Sequence, residues 1–280
     1  MDPLDRFEFS QSSLQDFVDC HRRFQLRYLQ RVAWPAVQAE PARENEQYMQ
    51  RGERFHRLAQ QYLLGVPEEK LTRMANADED ENLLHWWQNF LECIPRQLNG
   101  ARKVEVTLEA ALARFRLVAK YDLVLLRPEG GAVIYDWKTS IHRPGRARLL
   151  ERLQTRIYPY LLVQAGALFN QGTPFQPEQI EMIYWFAEPG QQEERLSYSR
   201  DRFAEDEAYL RELVEQIAGL GSQEFTMAET EKPCGYCVYR SLCRRGVRAS
   251  ALSAGAEDGF EPGEGGSLDF DLEQIGEISF

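Results

Sequence analysis

Four cysteines at opposite ends of the chain constrain its fold more than any other feature. Cys20 lies near the start, and more than two hundred residues later the chain carries Cys234, Cys237 and Cys243 in Cys-x2-Cys-x5-Cys spacing. Thiolates separated in this way can close a domain around one metal cluster, and the same thiols could also form a zinc site. Either site requires the fold to bring its two terminal segments together.

The cysteine count and the composition indicate a protein of a reducing compartment. Five cysteines is an odd number, which favours metal ligation over disulfides. No apolar run approaches the roughly 20 residues that span a bilayer, and the start of the chain lacks the features of a secretory signal. With 280 residues, of which 43% are apolar, we expect a cytoplasmic protein with one sizeable core.

The negative charge of the chain is concentrated at its C-terminal end. The net charge is -11, but residues 249–280 hold eight acidic residues and no Lys or Arg, so the remaining chain carries only -3. A segment of this Gly, Ser and acidic composition cannot bury a core, and we expect it to be a disordered tail. Arginines cluster instead around the cysteines, where they would form a basic patch if the two ends meet.

The hydrophobic periodicity predicts an α/β protein. Between Lys103 and Lys138 apolar and polar residues alternate, which predicts an antiparallel meander. A long helix over about residues 146–170 precedes an apolar strand at 181–186, which can return parallel to the sheet through a crossover connection. Further helices are predicted over about residues 44–64, 83–98 and 202–220.

One strand of this meander ends in Asp136-Trp137-Lys138. Side chains two residues apart in a strand share one face, so Asp136 and Lys138 are neighbours. A carboxylate is a hard oxygen ligand that suits Mg²⁺ or Mn²⁺, and an adjacent ammonium can orient a water or neutralise a phosphate. The pair is therefore either the signal of a metal-dependent phosphodiesterase or a salt bridge at a strand end.

Four other polar residues could complete such a site. Asp122 has apolar neighbours that predict a mostly buried strand, where a lone carboxylate is costly and needs a partner or a cation. His56, on a predicted helix, could supply an imidazole ligand, although such a histidine is more often structural. Gln154 and Tyr158 share one helix face and could reach the site or a nucleic-acid backbone, or make ordinary helix–sheet contacts.

Six motifs follow one another along the chain in a characteristic order. They are Phe9-Ser10-Gln11-Ser12-Ser13-Leu14 through Cys20-His21-Arg22-Arg23-Phe24, Gly52-Glu53-Arg54-Phe55-His56, Tyr121-Asp122-Leu123-Val124, Asp136-Trp137-Lys138-Thr139, Gln154-Thr155-Arg156-Ile157-Tyr158, and the cysteine segment from Cys234 to Cys243. In order and spacing they resemble the PD-(D/E)XK nuclease superfamily, in its RecB-like branch with an iron–sulfur cluster. This branch includes AddB-type and CRISPR-associated exonucleases, and the resemblance extends from about residue 8 to residue 246.

The resemblance implies a role for each candidate site residue. The catalytic Mg²⁺ or Mn²⁺ would be bound by His56, Asp122, Asp136 and the backbone carbonyl of Trp137. Lys138 would position the attacking water. The accessory residues would be Gln154 and Tyr158 on the following helix, with Glu105 as a further carboxylate.

The resemblance also implies the architecture. We expect a restriction-endonuclease-like α/β core, in which a mixed central sheet is flanked by helices, over residues 1–248, followed by the tail at 249–280. The terminal segments would be joined by a [4Fe-4S] cluster, with Zn²⁺ as the alternative, held by Cys20, Cys234, Cys237 and Cys243.

The function that the resemblance implies is a metal-dependent DNA nuclease. We expect an exonuclease that acts on single strands or DNA ends, in DNA repair, recombination or CRISPR-related processing. The sequence has no Gly-x4-Gly-Lys-Ser/Thr loop, so a helicase motor would be a separate partner polypeptide. The alternative is a nuclease-like module that binds DNA or a helicase while catalysis is lost or slow. The full set of His56, Asp122, Asp136 and Lys138 favours the enzyme, because a purely binding protein has no need of all four.

Overall fold

The computed structural model describes residues 4, 7–33, 42–140, 143–188, 190, 193–221 and 224–246. The chain forms two compact units. The first comprises Met1–Gln11 and Gln50–Leu220, and the second comprises Ser12–Met49 and Gly221–Phe280. The proposed division into a nuclease domain over residues 1–248 and a tail stays a prediction, and residues 249–280 lie outside the described residues.

The described residues of the first unit contain six strands, and those at 132–138 and 180–186 are rich in β-branched and aromatic residues. Their bounds are β1 (Glu8–Ser10), β2 (Ala101–Leu112), β3 (Phe115–Leu126), β4 (Ala132–Lys138), β5 (Ile180–Phe186) and β6 (Glu194–Ser197). The α-helices of the described residues are α1 (Gln11–Asp19), α2 (His21–Phe24), α3 (Ala42–Leu63), α4 (Glu68–Asn76), α5 (Glu81–Cys93), α6 (Arg146–Glu151), α7 (Leu153–Ala165) and α8 (Arg200–Gly219). Among the described helices, none has both the length and the apolar character needed to cross a bilayer.

The strands form one mixed sheet in the order β1-β3-β4-β5-β6, with β2 paired to β3. β2, β3 and β4 run antiparallel, which confirms the predicted meander. β5 runs parallel to β4, as the crossover through α6 and α7 requires. β1 is parallel to β3, and β6 is antiparallel to β5. The predicted α/β class, a mixed central sheet flanked by helices, is therefore confirmed.

An aromatic core covers one face of the sheet. Trp137 and Trp185 are register partners on β4 and β5, with ring centroids 5.9 Å apart. Phe55 of α3 stacks on Trp185 at 5.9 Å, and Phe90 of α5 meets Trp137 edge to face at 5.4 Å. Because strand side chains alternate between faces, this packing turns the residues on either side of Trp137 towards the opposite face.

The opposite face is covered by α7, and here the structure differs from the prediction. Instead of one helix over about residues 146–170, the chain is extended at Arg152, which separates α6 from α7, and α7 ends at Ala165. Thr155 Oγ1 donates to the Leu149 carbonyl at 2.5 Å, so a carbonyl near the end of α6 is satisfied by a side chain. The same hydroxyl lies 2.7 Å from Tyr184 Oη on β5, which fixes α7 to the sheet.

In the second unit the N-terminal and C-terminal segments are held together by aromatic and backbone contacts. Phe24 of α2 stacks on Phe225 with ring centroids 6.1 Å apart. Tyr239 Oη donates to the Val32 carbonyl at 3.0 Å. The terminal segments that the cysteine spacing predicted to meet do meet within this unit.

Candidate active site

Asp122 lies at an interruption in the backbone pairing of β3. β4 pairs with residues 123–126 of β3 and β1 with residues 116–118, so the stretch 119–122 pairs with neither strand. On the other edge, β2 pairs with β3 along its length except opposite Asp122. The ladder is therefore open on both sides of this residue, which leaves space for its side chain to contact other groups.

Two groups hold the Asp122 carboxylate. The backbone N–H of Trp137 donates to Asp122 Oδ2 at 2.9 Å, and His56 Nδ1 lies 3.2 Å from Asp122 Oδ1. His56 follows Phe55 on α3, so the aromatic core fixes the position of the imidazole. The structure thus brings together His56, Asp122 and the strand end that carries Asp136.

Asp136, Lys138 and Gln154 form a second group on the α7 side of the sheet. Gln154 Nε2 donates to Asp136 Oδ1 at 2.6 Å, and Lys138 Nζ donates to Gln154 Oε1 at 2.7 Å. Lys138 Nζ also lies 2.8 Å from Asp136 Oδ2, yet this buried oxygen receives no hydrogen bond of good geometry. Asp136 Oδ2 therefore keeps unused acceptor capacity in a desolvated position.

The site concentrates perturbed ionisable groups. Burial raises the pKa of Asp136 to about 6, although the Lys138 ammonium opposes this shift. Burial alone would lower the pKa of His56, but the Asp122 carboxylate outweighs it and raises the pKa to about 9. For Asp122, burial favours a higher pKa, but His56 and the Trp137 N–H hold the pKa below its usual value. A protonated His56 thus neutralises part of the negative charge of the Asp122 and Asp136 carboxylates, which a bound divalent cation could also neutralise.

Tyr158 is buried one helical turn after Gln154 on α7. Tyr121 Oη donates to the Tyr158 carbonyl at 2.9 Å, and the two rings are 4.8 Å apart. Because Tyr121 directly precedes Asp122, Tyr158 packs against the strand that carries this carboxylate. Gln154 and Tyr158 thus contact the two site strands, while their predicted catalytic roles stay predictions.

Gly52 belongs to the motif that ends at His56, and its role is visible only in the structure. A Cβ at this position would lie 2.9 Å from Thr139 Oγ1, closer than real Cβ contacts allow. Gly52 lies one helical turn before His56, and Thr139 directly follows Lys138. The missing side chain therefore lets α3 approach the end of β4. A glycine inside a helix was the available signal, because it is costly unless packing requires it.

The donor chemistry of the site fits a hard divalent cation. His56 contacts the Asp122 carboxylate, the Asp136 carboxylate is close enough to act on both electrostatically, and carboxylate oxygen and imidazole nitrogen are donors that such cations accept. Across the described residues, no group of three or more His, Cys, Asp or Glu side chains is placed so that it could hold a metal ion. Hydrogen bonds from Trp137 and Gln154 engage two of the carboxylate oxygens. The predicted ligand set of His56, Asp122, Asp136 and the Trp137 carbonyl therefore stays a prediction.

The four predicted cluster cysteines lie in the second unit as partly buried free thiols. Burial is the main cause that raises the pKa of Cys237 to about 11; Arg23 opposes this shift, and the neighbouring Cys20 and Cys243 add to it. Burial, followed by Cys20, likewise raises the pKa of Cys234 and of Cys243. Cys20 is thus close enough to act on the pKa of the other three thiols, and cysteine sulfur is a suitable ligand for a metal cluster. Among the described residues, however, the thiols are not placed so that they could hold a metal ion.

The basic patch expected around these cysteines is neutralised in part. Arg23 is buried and pairs with Asp16 and Asp19. Arg27 also pairs with Asp16, at 3.1 Å. Acidic residues of α1, which the sequence prediction did not take into account, thus compensate arginines that follow Cys20. The charge that is available to a nucleic acid in this region is smaller than the sequence implied.

The interrupted pairing at Asp122, the buried Asp-x-Lys strand end and the glutamine that hydrogen-bonds to both of its side chains lie together on the mixed sheet. The chain matches the PD-(D/E)XK nuclease superfamily over residues 8–244, and it belongs to this superfamily. The family implies hydrolysis of phosphodiester bonds and a DNA substrate, and its members generally use divalent metals such as Mg²⁺ or Mn²⁺.

Solved structures resemble this fold at low sequence identity. The crystal structure of a "Putative exonuclease" from Eubacterium rectale has a TM-score of 0.51 and 11% identity, and the match covers 89% of this chain and 91% of that one. The crystal structure of SSO0001 has a TM-score of 0.41 and 13% identity, with 85% and 86% of the two chains covered. No curated protein matches the chain. At such identities, the likeness to the Eubacterium rectale protein supports the fold alone.

Proposed function

We propose that this protein is a Mg²⁺- or Mn²⁺-dependent deoxyribonuclease whose active site is built from His56, Asp122, Asp136, Lys138 and Gln154. The observation that carries the proposal is the bonded group of Asp136, Lys138 and Gln154, with a buried carboxylate oxygen left available beside an ammonium. A structural salt bridge at a strand end has no need of a third side chain that holds both partners.

The proposed ligands are His56 Nδ1, the carboxylates of Asp122 and Asp136, and the carbonyl of Trp137. A divalent cation bound there would act as a Lewis acid and offset the charge that develops on the phosphate. Binding would require Asp122 to exchange its contact with His56 for one with the cation, since His56 Nδ1 and Asp122 Oδ1 now face each other at 3.2 Å.

Lys138 is the residue proposed to orient the attacking water. Its Nζ lies 2.8 Å from Asp136 Oδ2 and donates to Gln154 Oε1, so the ammonium is aimed at the proposed metal position before substrate arrives. Gln154 fixes both side chains, and Tyr158 supports the helix on which Gln154 lies. This preorganisation lowers the reorganisation that the reaction needs.

The more specific assignments belong to the same proposal. We propose exonuclease action on single strands or DNA ends in DNA repair, recombination or CRISPR-related processing, on the strength of the RecB-like motifs. A helicase or repair protein would be a separate partner. The four cysteines would hold a [4Fe-4S] cluster, with Zn²⁺ as the alternative, and an absorption spectrum with iron and zinc analysis of anaerobically purified protein distinguishes the two.

The nuclease proposal is tested by cleavage of end-labelled single-stranded and double-stranded DNA with Mg²⁺, Mn²⁺ or EDTA. We expect metal-dependent cleavage that EDTA abolishes. Asp136→Ala and Lys138→Ala should each lose activity while they keep the fold and DNA binding, because one removes metal-binding charge and the other the water-orienting ammonium. The matched control is Lys103→Ala, which lies on β2 outside the site. Near-normal turnover by either site variant would refute the assignment.

A further inference from the structure

Arginine is concentrated in one segment that follows the Asp-x-Lys strand. Residues 143–156 contain five arginines and a single acidic residue, Glu151, in a chain of net charge -11. The arginines are Arg143, Arg146, Arg148, Arg152 and Arg156. The last of them is structural, because Arg156 Nη1 donates to the buried Asp206 Oδ1 at 2.6 Å. The other four all lie between the end of β4 and the start of α7.

Both ends of this segment adjoin the candidate active site. Lys138 and Phe186 are register partners at the ends of β4 and β5, and the Arg143 guanidinium lies 5.7 Å from the centroid of the Phe186 ring. At the other end, Arg152 caps α7 two residues before Gln154. The arginine segment thus connects the two residues that contact Asp136.

A nearly buried carboxylate fixes two of these arginines. Glu194, at the start of β6, has a side chain only 11% exposed and pairs with both Arg143 and Arg146. Arg146 Nη1 also donates to the Arg195 carbonyl at 2.8 Å, although the Arg146 side chain is 55% exposed. Because Arg143 and Arg146 share the single negative charge of Glu194, a net positive charge remains. The pairing also orders both guanidinium groups before a ligand binds.

Ordered and exposed guanidinium groups suit phosphate oxygens. Each guanidinium has five N–H donors in a planar fork, and contact with Glu194 leaves donors for a second anion. A single small anion would not use a row of arginines spread over ten residues, whereas a chain of phosphates would. Such a chain would lead along the segment to Lys138.

We propose that residues 143–152 bind the sugar–phosphate backbone of the DNA strand next to the bond that is cut, with Arg143 and Arg146 as phosphate contacts. The proposal rests on the proposed nuclease function, since Lys138 defines where the strand must arrive. Glu194 is a positioning residue in this arrangement. Binding of this kind is independent of base sequence and weakens as salt rises.

The test is the salt dependence of DNA binding by the full chain. The background is Asp136→Asn, which we expect to prevent cleavage, and fluorescence anisotropy with a labelled single-stranded oligonucleotide gives the slope of log affinity against log salt. Arg143→Gln and Arg146→Gln are made separately in the Asp136→Asn protein. In each variant Glu194 keeps the other arginine as its partner. Each lost phosphate contact should reduce the slope by about 0.7. Arg146→Lys should keep the slope, because it keeps the charge.

The control is Arg211→Gln, which removes an exposed arginine of α8 that pairs with Glu207 and lies outside the segment. It should leave the slope unchanged. Slopes of Arg143→Gln and Arg146→Gln equal to that of the control would overturn the inference, even if the wild-type protein cleaves DNA. Reduced slopes together with a wild-type protein that cleaves no DNA would keep the binding surface and reject the nuclease function. The two proposals can therefore fail separately.

Discussion

Glu105 on β2 and Asp122 on β3 lie opposite each other at the one position where these two described strands are not paired. Glu105 has a φ of 53°, in the left-handed region, which costs a residue other than glycine about 1–3 kcal/mol. Its carboxylate lies 2.8 Å from Lys120 Nζ. Because carboxylates directly opposite each other repel, this conformation separates the Glu105 charge from that of Asp122.

Glu105→Gly should therefore be tolerated better than a glycine elsewhere in the same strand. Glycine adopts a positive φ without strain, so we expect a free energy of unfolding within about 1 kcal/mol of the wild type, or above it. Thr107→Gly, at an exposed and regularly paired position of β2, is the control and should cost about 1 kcal/mol. Urea unfolding measures both. Equal losses for the two variants would contradict a strained Glu105.

Gly52→Ala should impair catalysis through the position of His56. The added Cβ would meet Thr139 Oγ1 at 2.9 Å, and overpacking of this kind costs about 1–3 kcal/mol. We expect a lower melting temperature and weaker activation by Mg²⁺. Thr139→Ala in the same protein should restore both, because it removes the atom in conflict. Gly219→Ala, where a Cβ meets nothing within 4 Å, is the matched control. Failure of the double variant to recover would exclude this contact as the cause.

Gln154→Ala should lower the cleavage rate without preventing DNA binding. The side chain donates to Asp136 Oδ1 and accepts from Lys138 Nζ, so its loss releases both groups. Residues that orient metal ligands typically contribute about 10–100-fold to activity or metal affinity. Single-turnover cleavage at several Mg²⁺ concentrations measures the effect. Gln164→Ala, on the last turn of the same helix, is the control, and an equal effect of both variants would argue against an orienting role.

Cys20→Ala should destabilise the protein as much as Cys237→Ala. A cluster ligand is a cross-link, and Cys20 closes the long loop between the terminal segments, so its loss removes metal and stability together. Metal content and melting temperature are the measurements. Cys93→Ala is the control, because Cys93 is not one of the four proposed cluster ligands. It lies on α5, where its Sγ donates to Asn89 Oδ1 at 3.6 Å. Unchanged metal content and melting temperature in Cys20→Ala would reject the cluster.

Local sequence patterns were sufficient for much of the fold. The alternation between residues 103 and 138 gave the antiparallel strands, and the spacing of two between Asp136 and Lys138 put both on one face, as the structure has them. The spacing of four between Gln154 and Tyr158 likewise put both on one helix face, towards the sheet. These features depend on the geometry of one strand or one helix, which the sequence encodes by its periodicity.

The sequence failed where the outcome depended on residues far apart in the chain. It predicted one helix where an extended Arg152 separates two, and the Thr155 hydroxyl that follows this break contacts Tyr184, 29 residues further along the chain. It also overestimated the free positive charge near Cys20, because it could not show that Asp16 pairs with Arg23 and Arg27.

The sequence by itself determined which chemical groups this protein has and on which strand or helix each lies. Only the tertiary structure decided how they meet: that Glu105 opposes Asp122, that the Trp137 N–H donates to the Asp122 carboxylate, and that Glu194 pairs with both Arg143 and Arg146. The physical reason is that periodicity is a local property of the backbone. Desolvation, hydrogen-bond partners and charge compensation are set by whichever distant segments the packed core brings into contact.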